Sequence, residues 1–90
     1  MRIAALKVKI MPESVETDLK KLKKEVEIIV NSLGAKIHST EEEEIAFGLK
    51  AIFIKMAWPE EKSTDIIENK LIEIENVSSV KLEDYRRAFG

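Results

Sequence analysis

Apolar and polar residues alternate along the first ten positions of the chain. On residues 3–10 one face is apolar, while Ala5, Lys7 and Lys9 fall on the other, which is the two-residue period of a half-buried strand. Pro12 has no N–H to donate, so we expect the strand to end within residues 11–14. The apolar face consists of Ala4, Leu6, Val8 and Ile10.

A helical period follows this strand. Between residues 15 and 33 apolar side chains recur every three or four positions, which predicts a helix of about four turns with one buried stripe. We expect Ser14 or Thr17 to cap its start and Gly34 to end it in a left-handed conformation. The stripe consists of Val15, Leu19, Leu22, Val26, Ile29 and Leu33.

Two strands of different character come next. Residues 35–44 alternate poorly and carry four consecutive glutamates, which is typical of an edge strand protected by charge. Residues 48–58 are apolar on both faces apart from Lys50 and Lys55, which is typical of a central strand. The two faces carry Leu49, Ala51 and Phe53 on one side and Ile52, Ile54, Met56 and Trp58 on the other.

The last third of the chain predicts a second helix and a final strand. Hydroxyl groups in the polar turn at residues 59–64 can cap the helix, and we expect Asn76 to end it. Val80 and Leu82 alternate with charged neighbours in a strand that reaches about Tyr85. The apolar stripe of this helix consists of Ile67, Leu71 and Ile74.

The element order βαββαβ predicts a ferredoxin-like α+β sandwich, with a four-stranded antiparallel sheet and two helices on one face. Right-handed crossovers put the first and third strands in the middle of the sheet. Residues 1–90 then form a single domain whose second sheet face is open. That face is expected to present Ala5, Lys7, Lys9, Leu49, Ala51, Phe53 and Lys55.

Composition narrows the functional classes. The 90 residues are 44% hydrophobic, and 15 Lys and Arg nearly balance 17 Asp and Glu, so the chain is expected to fold around one core. It has no cysteine, which excludes disulfides and thiolate metal sites and fits a reducing, cytoplasmic location. No apolar run approaches the roughly 20 residues that span a bilayer. An isoelectric point near 5.5 disfavours phosphate-backbone binding as the main task.

Several functions known for this fold class can be weighed against the residues. An acylphosphatase-like phosphate site needs an Arg and backbone donors after the first strand, where Glu13 and Glu16 stand instead. A metal chaperone needs thiolates. An RNA-binding module needs stacking aromatics where Leu49 and Ala51 lie, so it is disfavoured but stays open. A small-ligand regulatory module also stays open, because such sites have no fixed signature.

Four single features have alternative interpretations. His38 has no nucleophile or paired acid beside it, so we interpret it as a surface residue. Carboxylates at 41–44 alternate between faces and cannot converge on one ion, which indicates a solvated edge. Trp58 fits core packing. Phe47, in the turn before Gly48, either folds back over the sheet edge or anchors in a pocket of a partner.

Four segments of the chain together form a recognisable pattern, at residues 8–14, 18–19, 42–51 and 84–87. The most specific part is Ile-Ala-Phe-Gly-Leu-Lys-Ala at residues 45–51. Through these segments the chain resembles the archaeal translation elongation factor 1-beta family, and the resemblance covers the whole chain in the same order.

This resemblance implies a guanine-nucleotide exchange factor for the GTPase elongation factor 1-alpha. Such a factor acts by binding, with no covalent chemistry, cofactor, metal, direct nucleic-acid contact or membrane. In related eukaryotic domains the Phe at the position of Phe47, next to Gly48, enters a pocket on the second domain of the GTPase. The C-terminal end works beside the Mg²⁺ and phosphate site through a Lys that this chain lacks. Arg86 and Arg87 are therefore the candidate residues there.

Overall fold

A computed structural model describes residues 2–87 as one antiparallel sheet with two helices. The elements are β1 (Ile3–Pro12), α1 (Leu19–Ser32), β2 (Lys36–Ala46), β3 (Leu49–Pro59), α2 (Asp65–Ile72) and β4 (Val77–Arg87). The strand order is β2-β3-β1-β4, which confirms the ferredoxin-like α+β prediction and the central position of the first and third strands. Within residues 2–87 no helix is long and apolar enough to cross a membrane.

Both helices pack on the same face of the sheet and share one core with it. Trp58 at the end of β3 is fully buried, as predicted, and its indole Nε1 donates to the carbonyl oxygen of Lys62 at 2.9 Å. This hydrogen bond satisfies the one polar atom of the ring and ties β3 to the turn before α2. The helix residues in this core are Leu22, Val26, Val30, Ile67 and Leu71.

Helix α1 begins later than the apolar spacing predicts. Its cap is Asp18, whose carboxylate accepts the backbone N–H groups of Lys20 at 3.1 Å and Lys21 at 3.2 Å. The prediction that Ser14 or Thr17 caps this helix is therefore wrong. A carboxylate at the cap satisfies two otherwise unpaired donors and also interacts favourably with the helix dipole.

Because α1 begins after Asp18, Val15 lies outside the helix and is 62% exposed. The hydroxyl of Ser14 instead accepts the N–H of Glu16 in a local turn. The expected stripe is thus wrong at its first position, and it omits Val30, which is fully buried. Gly34 ends the helix in the left-handed conformation with φ 81°, as predicted.

The first strand ends where the sequence predicts, whereas the last strand is longer than predicted. Strand β1 ends at Pro12, within residues 11–14, and Pro12 is the register partner of Val77, so pairing with β1 extends β4 back beyond Val80. A proline is tolerated at the end of a strand, where its missing N–H breaks no ladder. Helix α2 ends at Ile72, and Asn76, with φ 74°, lies in the turn before β4. The prediction that Asn76 ends the helix is therefore wrong.

The sheet face opposite the helices is open to solvent. Lys7, Lys9 and Phe53 are half-buried on this face and Lys55 is exposed, in agreement with the sequence pattern. Ala51 shares the face but is fully buried, contrary to the prediction. Its methyl group is too short to reach past the longer neighbouring side chains of the strand.

Candidate partner-binding surfaces at the two ends of the sheet

The connection between β2 and β3 is a two-residue turn made of Phe47 and Gly48. Ala46 and Leu49 are register partners, so only these two residues lie outside the ladder. Their φ angles are 52° and 82°, and positive values at both positions are the mark of a type I′ hairpin turn. Glycine adopts this conformation freely, whereas Phe47 carries a Cβ and is strained there by about 1 kcal/mol.

The ring of Phe47 is 100% exposed, which contradicts the interpretation that it folds back over the sheet edge. Two further apolar side chains are also exposed: Ile45, two residues before Phe47, is 43% exposed, and Val15 is 62% exposed. Val15 borders the turn, because a Cβ built on Gly48 would lie 3.9 Å from its Cγ1 atom. We call Val15, Ile45, Phe47 and Gly48 the hairpin tip.

Sequence patterns alone missed two members of the hairpin tip. Val15 fits the helical spacing of α1 and is therefore assigned to the core. Its real position follows only once Asp18 is identified as the cap, since a residue before the cap need not follow the helical stripe. Ile45 is exposed because the register shifts between Glu44 and Ala46, and such a bulge leaves no sequence signal here.

Arg86 and Arg87 lie at the end of β4 with mostly exposed side chains, 79% and 74%. The Nε atom of Arg86 is 2.9 Å from a carboxylate oxygen of Asp84. The Nε atom of Arg87 is 3.5 Å from a carboxylate oxygen of Glu60. Each guanidinium has four further N–H donors, so both can bind an anionic group while keeping these contacts. The last part of the expected C-terminal contact, residues 88–90, lies outside the described residues.

The hairpin tip and the two arginines are at opposite ends of the sheet. Arg87 and Trp58 are both register partners of Ala4, so Arg87 is level with the far end of β3. At about 3.3 Å per residue, Phe47 and Arg87 are roughly 35 Å apart. This separation fits the longest dimension of the fold, 41 Å. The structure therefore does not bring these predicted residues into one site, and only a large partner can touch both.

The acidic edge strand and the lone histidine form no catalytic or metal-binding arrangement within the described part of the chain. Glu42 lies on the helix side, where Nζ of Lys23 on α1 donates to its carboxylate at 2.5 Å. This hydrogen bond lowers the pKa of Glu42 below its ordinary value. Glu41 and Glu43 are paired in register with residues of the open face, so the carboxylates alternate as expected. His38 is exposed at a register shift.

The sequence of this chain matches a known protein family. Residues 5–87 match the family described as the EF-1 guanine nucleotide exchange domain. The chain belongs to this exchange-domain family. It is similar to a protein named elongation factor 1-beta from Pyrobaculum calidifontis, with 42% identity over 87 residues, covering 92% of this chain and 91% of the relative.

Two further relatives from other archaea carry the same name. The protein from Methanothermobacter thermautotrophicus is 40% identical over 81 residues, covering 89% of this chain and 90% of its own. The protein from Methanosarcina barkeri is 40% identical over 85 residues, covering 92% and 94%. These findings confirm the resemblance seen in the sequence. The chain is a guanine-nucleotide exchange factor of translation elongation.

Proposed function

We propose that this chain promotes GDP release from the GTPase elongation factor 1-alpha by holding it at two separated points. The hairpin tip is the anchor, and Arg86 and Arg87 act at the other end of the sheet. Family membership supports the partner, and the fully exposed, left-handed Phe47 is the observation that carries the anchor. Residues 1–90 act together as one exchange unit in this proposal.

The conformation of Phe47 stabilises nothing within the fold. A left-handed phenylalanine is strained, and a ring in water gains no burial energy. Insertion into an apolar pocket of the GTPase removes the ring from water, which is the usual role of an aromatic hot spot. The tight hairpin holds the ring in its binding position before contact, so little conformational entropy is lost on binding.

Exchange requires no covalent step. A factor that binds the nucleotide-free GTPase more tightly than the GDP-bound form weakens GDP binding by the same factor, because the two equilibria are linked. GDP then leaves faster. The two contacts lie roughly 35 Å apart, as the strand rise of about 3.3 Å per residue gives, so they can act on two different regions of the GTPase. The rigid sheet between the contacts transmits the strain.

The arginine end supplies the group that disturbs the nucleotide site. A guanidinium binds carboxylate and phosphate oxygens through paired N–H donors. The same kinds of oxygen hold Mg²⁺ beside a bound nucleotide. Arg86 and Arg87 are therefore suited to compete with Mg²⁺ for these oxygens, which loosens the phosphate contacts of GDP.

The decisive experiment measures release of fluorescent GDP from the loaded GTPase with and without this protein. We expect acceleration by the unchanged chain. Phe47→Ala should weaken GTPase binding by about 2–4 kcal/mol, which is about 30- to 1000-fold. Its melting temperature should stay close to that of the unchanged protein, because the exposed ring does not contribute to the core. Failure of the unchanged chain to accelerate release would refute the proposed function.

A further inference from the structure

The open sheet face concentrates four lysines that the fold itself does not need. Lys7 is the register partner of Lys55, and Lys9 is the register partner of Lys81. Like charges directly opposite each other across neighbouring strands destabilise a sheet. We call these four residues the lysine cluster.

Little neutralises the lysine cluster within the described residues. No ion pair within 4.0 Å forms to Lys7, Lys9 or Lys55 among residues 2–87, and Lys81 is 3.9 Å from Glu83. The acid nearest in register to Lys7 is Asp84, whose carboxylate instead binds Arg86 at 2.9 Å. The positive charge of the cluster is thus available to an external group.

An aromatic ring keeps part of this charge in position. The Nζ atoms of Lys7 and Lys9 lie 5.1 Å and 5.9 Å from the centre of the Phe53 ring, within the range of a cation–π contact. Both lysines are half-buried. Two ammonium groups held over one ring lose less conformational entropy on binding than lysines free in solvent.

Beside the cluster the face is concave. Ala5 and Ala57 are register partners, and their small side chains leave a depression of about 610 Å³. It is lined by the cations Lys7, Lys55 and Arg86, and also by His38 and the carboxylate of Asp84. Arg86 thus belongs both to the proposed C-terminal contact and to this depression, so the open face is continuous with that contact.

The charges around the cluster favour a protein occupant over a nucleic acid. Glu41 and Glu43 line one flank of the face on β2, and Glu83 and Asp84 line the other on β4. A phosphate backbone that runs across the face would meet these carboxylates and be repelled. A compact acidic patch of a folded partner can cover the lysines alone.

We propose that the open sheet face is a third contact with the same GTPase, in which the lysine cluster binds an acidic surface of that protein between the hairpin tip and the arginine end. This inference rests on the proposed function. A partner that contacts both the hairpin tip and the arginine end must extend along the sheet between them, and the open face runs from one of these ends to the other. The lysines accelerate encounter and orient the two proteins before Phe47 docks.

The test compares two charge-removing double variants with a matched control. Lys7→Gln/Lys55→Gln and Lys9→Gln/Lys81→Gln each remove two charges from the cluster. Lys20→Gln/Lys24→Gln removes the same charge from two exposed positions on α1. We expect each cluster variant to slow association with the GTPase by about tenfold at low salt and to flatten its salt dependence, while the control stays near the unchanged rate.

Further measurements separate the outcomes. Each cluster variant should melt close to the temperature of the unchanged protein, since removal of a like-charge pair offsets the lost cation–π contact with Phe53. Lys7→Arg/Lys55→Arg should retain fast association because it keeps the charge. If the unchanged chain accelerates GDP release but cluster and control variants associate at equal rates, the open-face contact is wrong while the proposed function stands. If the cluster variants lose binding to a tRNA probe in a gel shift while their association with the GTPase is unchanged, the open-face contact is also wrong.

Discussion

Phe47 adopts the left-handed conformation directly before Gly48, with φ angles of 52° and 82°. The usual residue at the first of these positions is asparagine, whose short polar side chain tolerates positive φ. Phe47→Asn should therefore stabilise the fold by about 1 kcal/mol, raising the melting temperature by a few degrees. Fluorescence of Trp58, the one tryptophan in the sequence, follows the unfolding directly.

The same Phe47→Asn variant should lose affinity for the GTPase to about the same degree as Phe47→Ala. Phe47→Ala is the matched control for stability, because alanine removes the ring but keeps a Cβ in the left-handed conformation. A gain in stability together with a loss of binding would identify the turn as strained for function. A clear drop in melting temperature with Phe47→Asn would instead show that the ring supports the fold.

The arginine end should affect exchange more than docking. Arg86→Ala/Arg87→Ala leaves the hairpin tip intact, so the GTPase should still bind. GDP release should slow by about 5- to 150-fold, the usual range of coupling between two sites. The single variants show which guanidinium acts. Raising Mg²⁺ should suppress exchange by the unchanged protein, and a full release rate for the double variant across the Mg²⁺ series would exclude this mechanism.

Asp18 should account for the start of α1. Asp18→Ala removes the acceptor for two backbone N–H groups and should cost about 0.5–2 kcal/mol in unfolding free energy. Asp18→Asn should retain most of the stability, since asparagine caps about as well. Ser14→Ala is the control, because Ser14 bonds only within the preceding turn. Equal losses for Ser14→Ala and Asp18→Ala in urea unfolding would contradict this assignment.

The Lys23 to Glu42 pair should give a small dependence of stability on pH. Lys23 holds the pKa of Glu42 below its ordinary value of 4.5, so the folded state favours the ionised carboxyl. The resulting stability is present above 4.5 and is lost as the pH falls through the lowered pKa. Since the pair is partly exposed, Glu42→Gln should cost only about 0.2–1 kcal/mol at neutral pH, and less in high salt.

Urea unfolding at neutral and strongly acidic pH measures this effect. Glu42→Gln and the unchanged protein should approach the same stability at the acidic end, where the carboxyl is protonated in both states. Glu41→Gln is the control on the same strand, because Glu41 lies on the other face of the sheet. A constant difference between Glu42→Gln and the unchanged protein at all pH values would rule out the ion pair as its cause.

Local periodicity predicted the elements of this fold and their order. The two-faced apolar run over 48–58 is typical of a central strand, and right-handed crossovers put the alternating strand over 3–10 beside it. Strands β1 and β3 occupy those places. The ends of elements were less accurate, because a cap or a strand partner decides them. Asp18 caps α1, so the apolar stripe that spacing alone extends back to Val15 begins only after Asp18. Pairing with β1 extends β4 back to Val77.

The candidate site divides in the same way. The sequence by itself determined that Phe47 lies in a turn next to Gly48, and the resemblance singled out both residues and the two arginines. Only the tertiary structure decided that the ring is fully exposed and strained, since exposure depends on what the rest of the chain leaves uncovered. Strand register likewise decided that Lys7 faces Lys55, because residues distant in sequence meet only when the sheet forms.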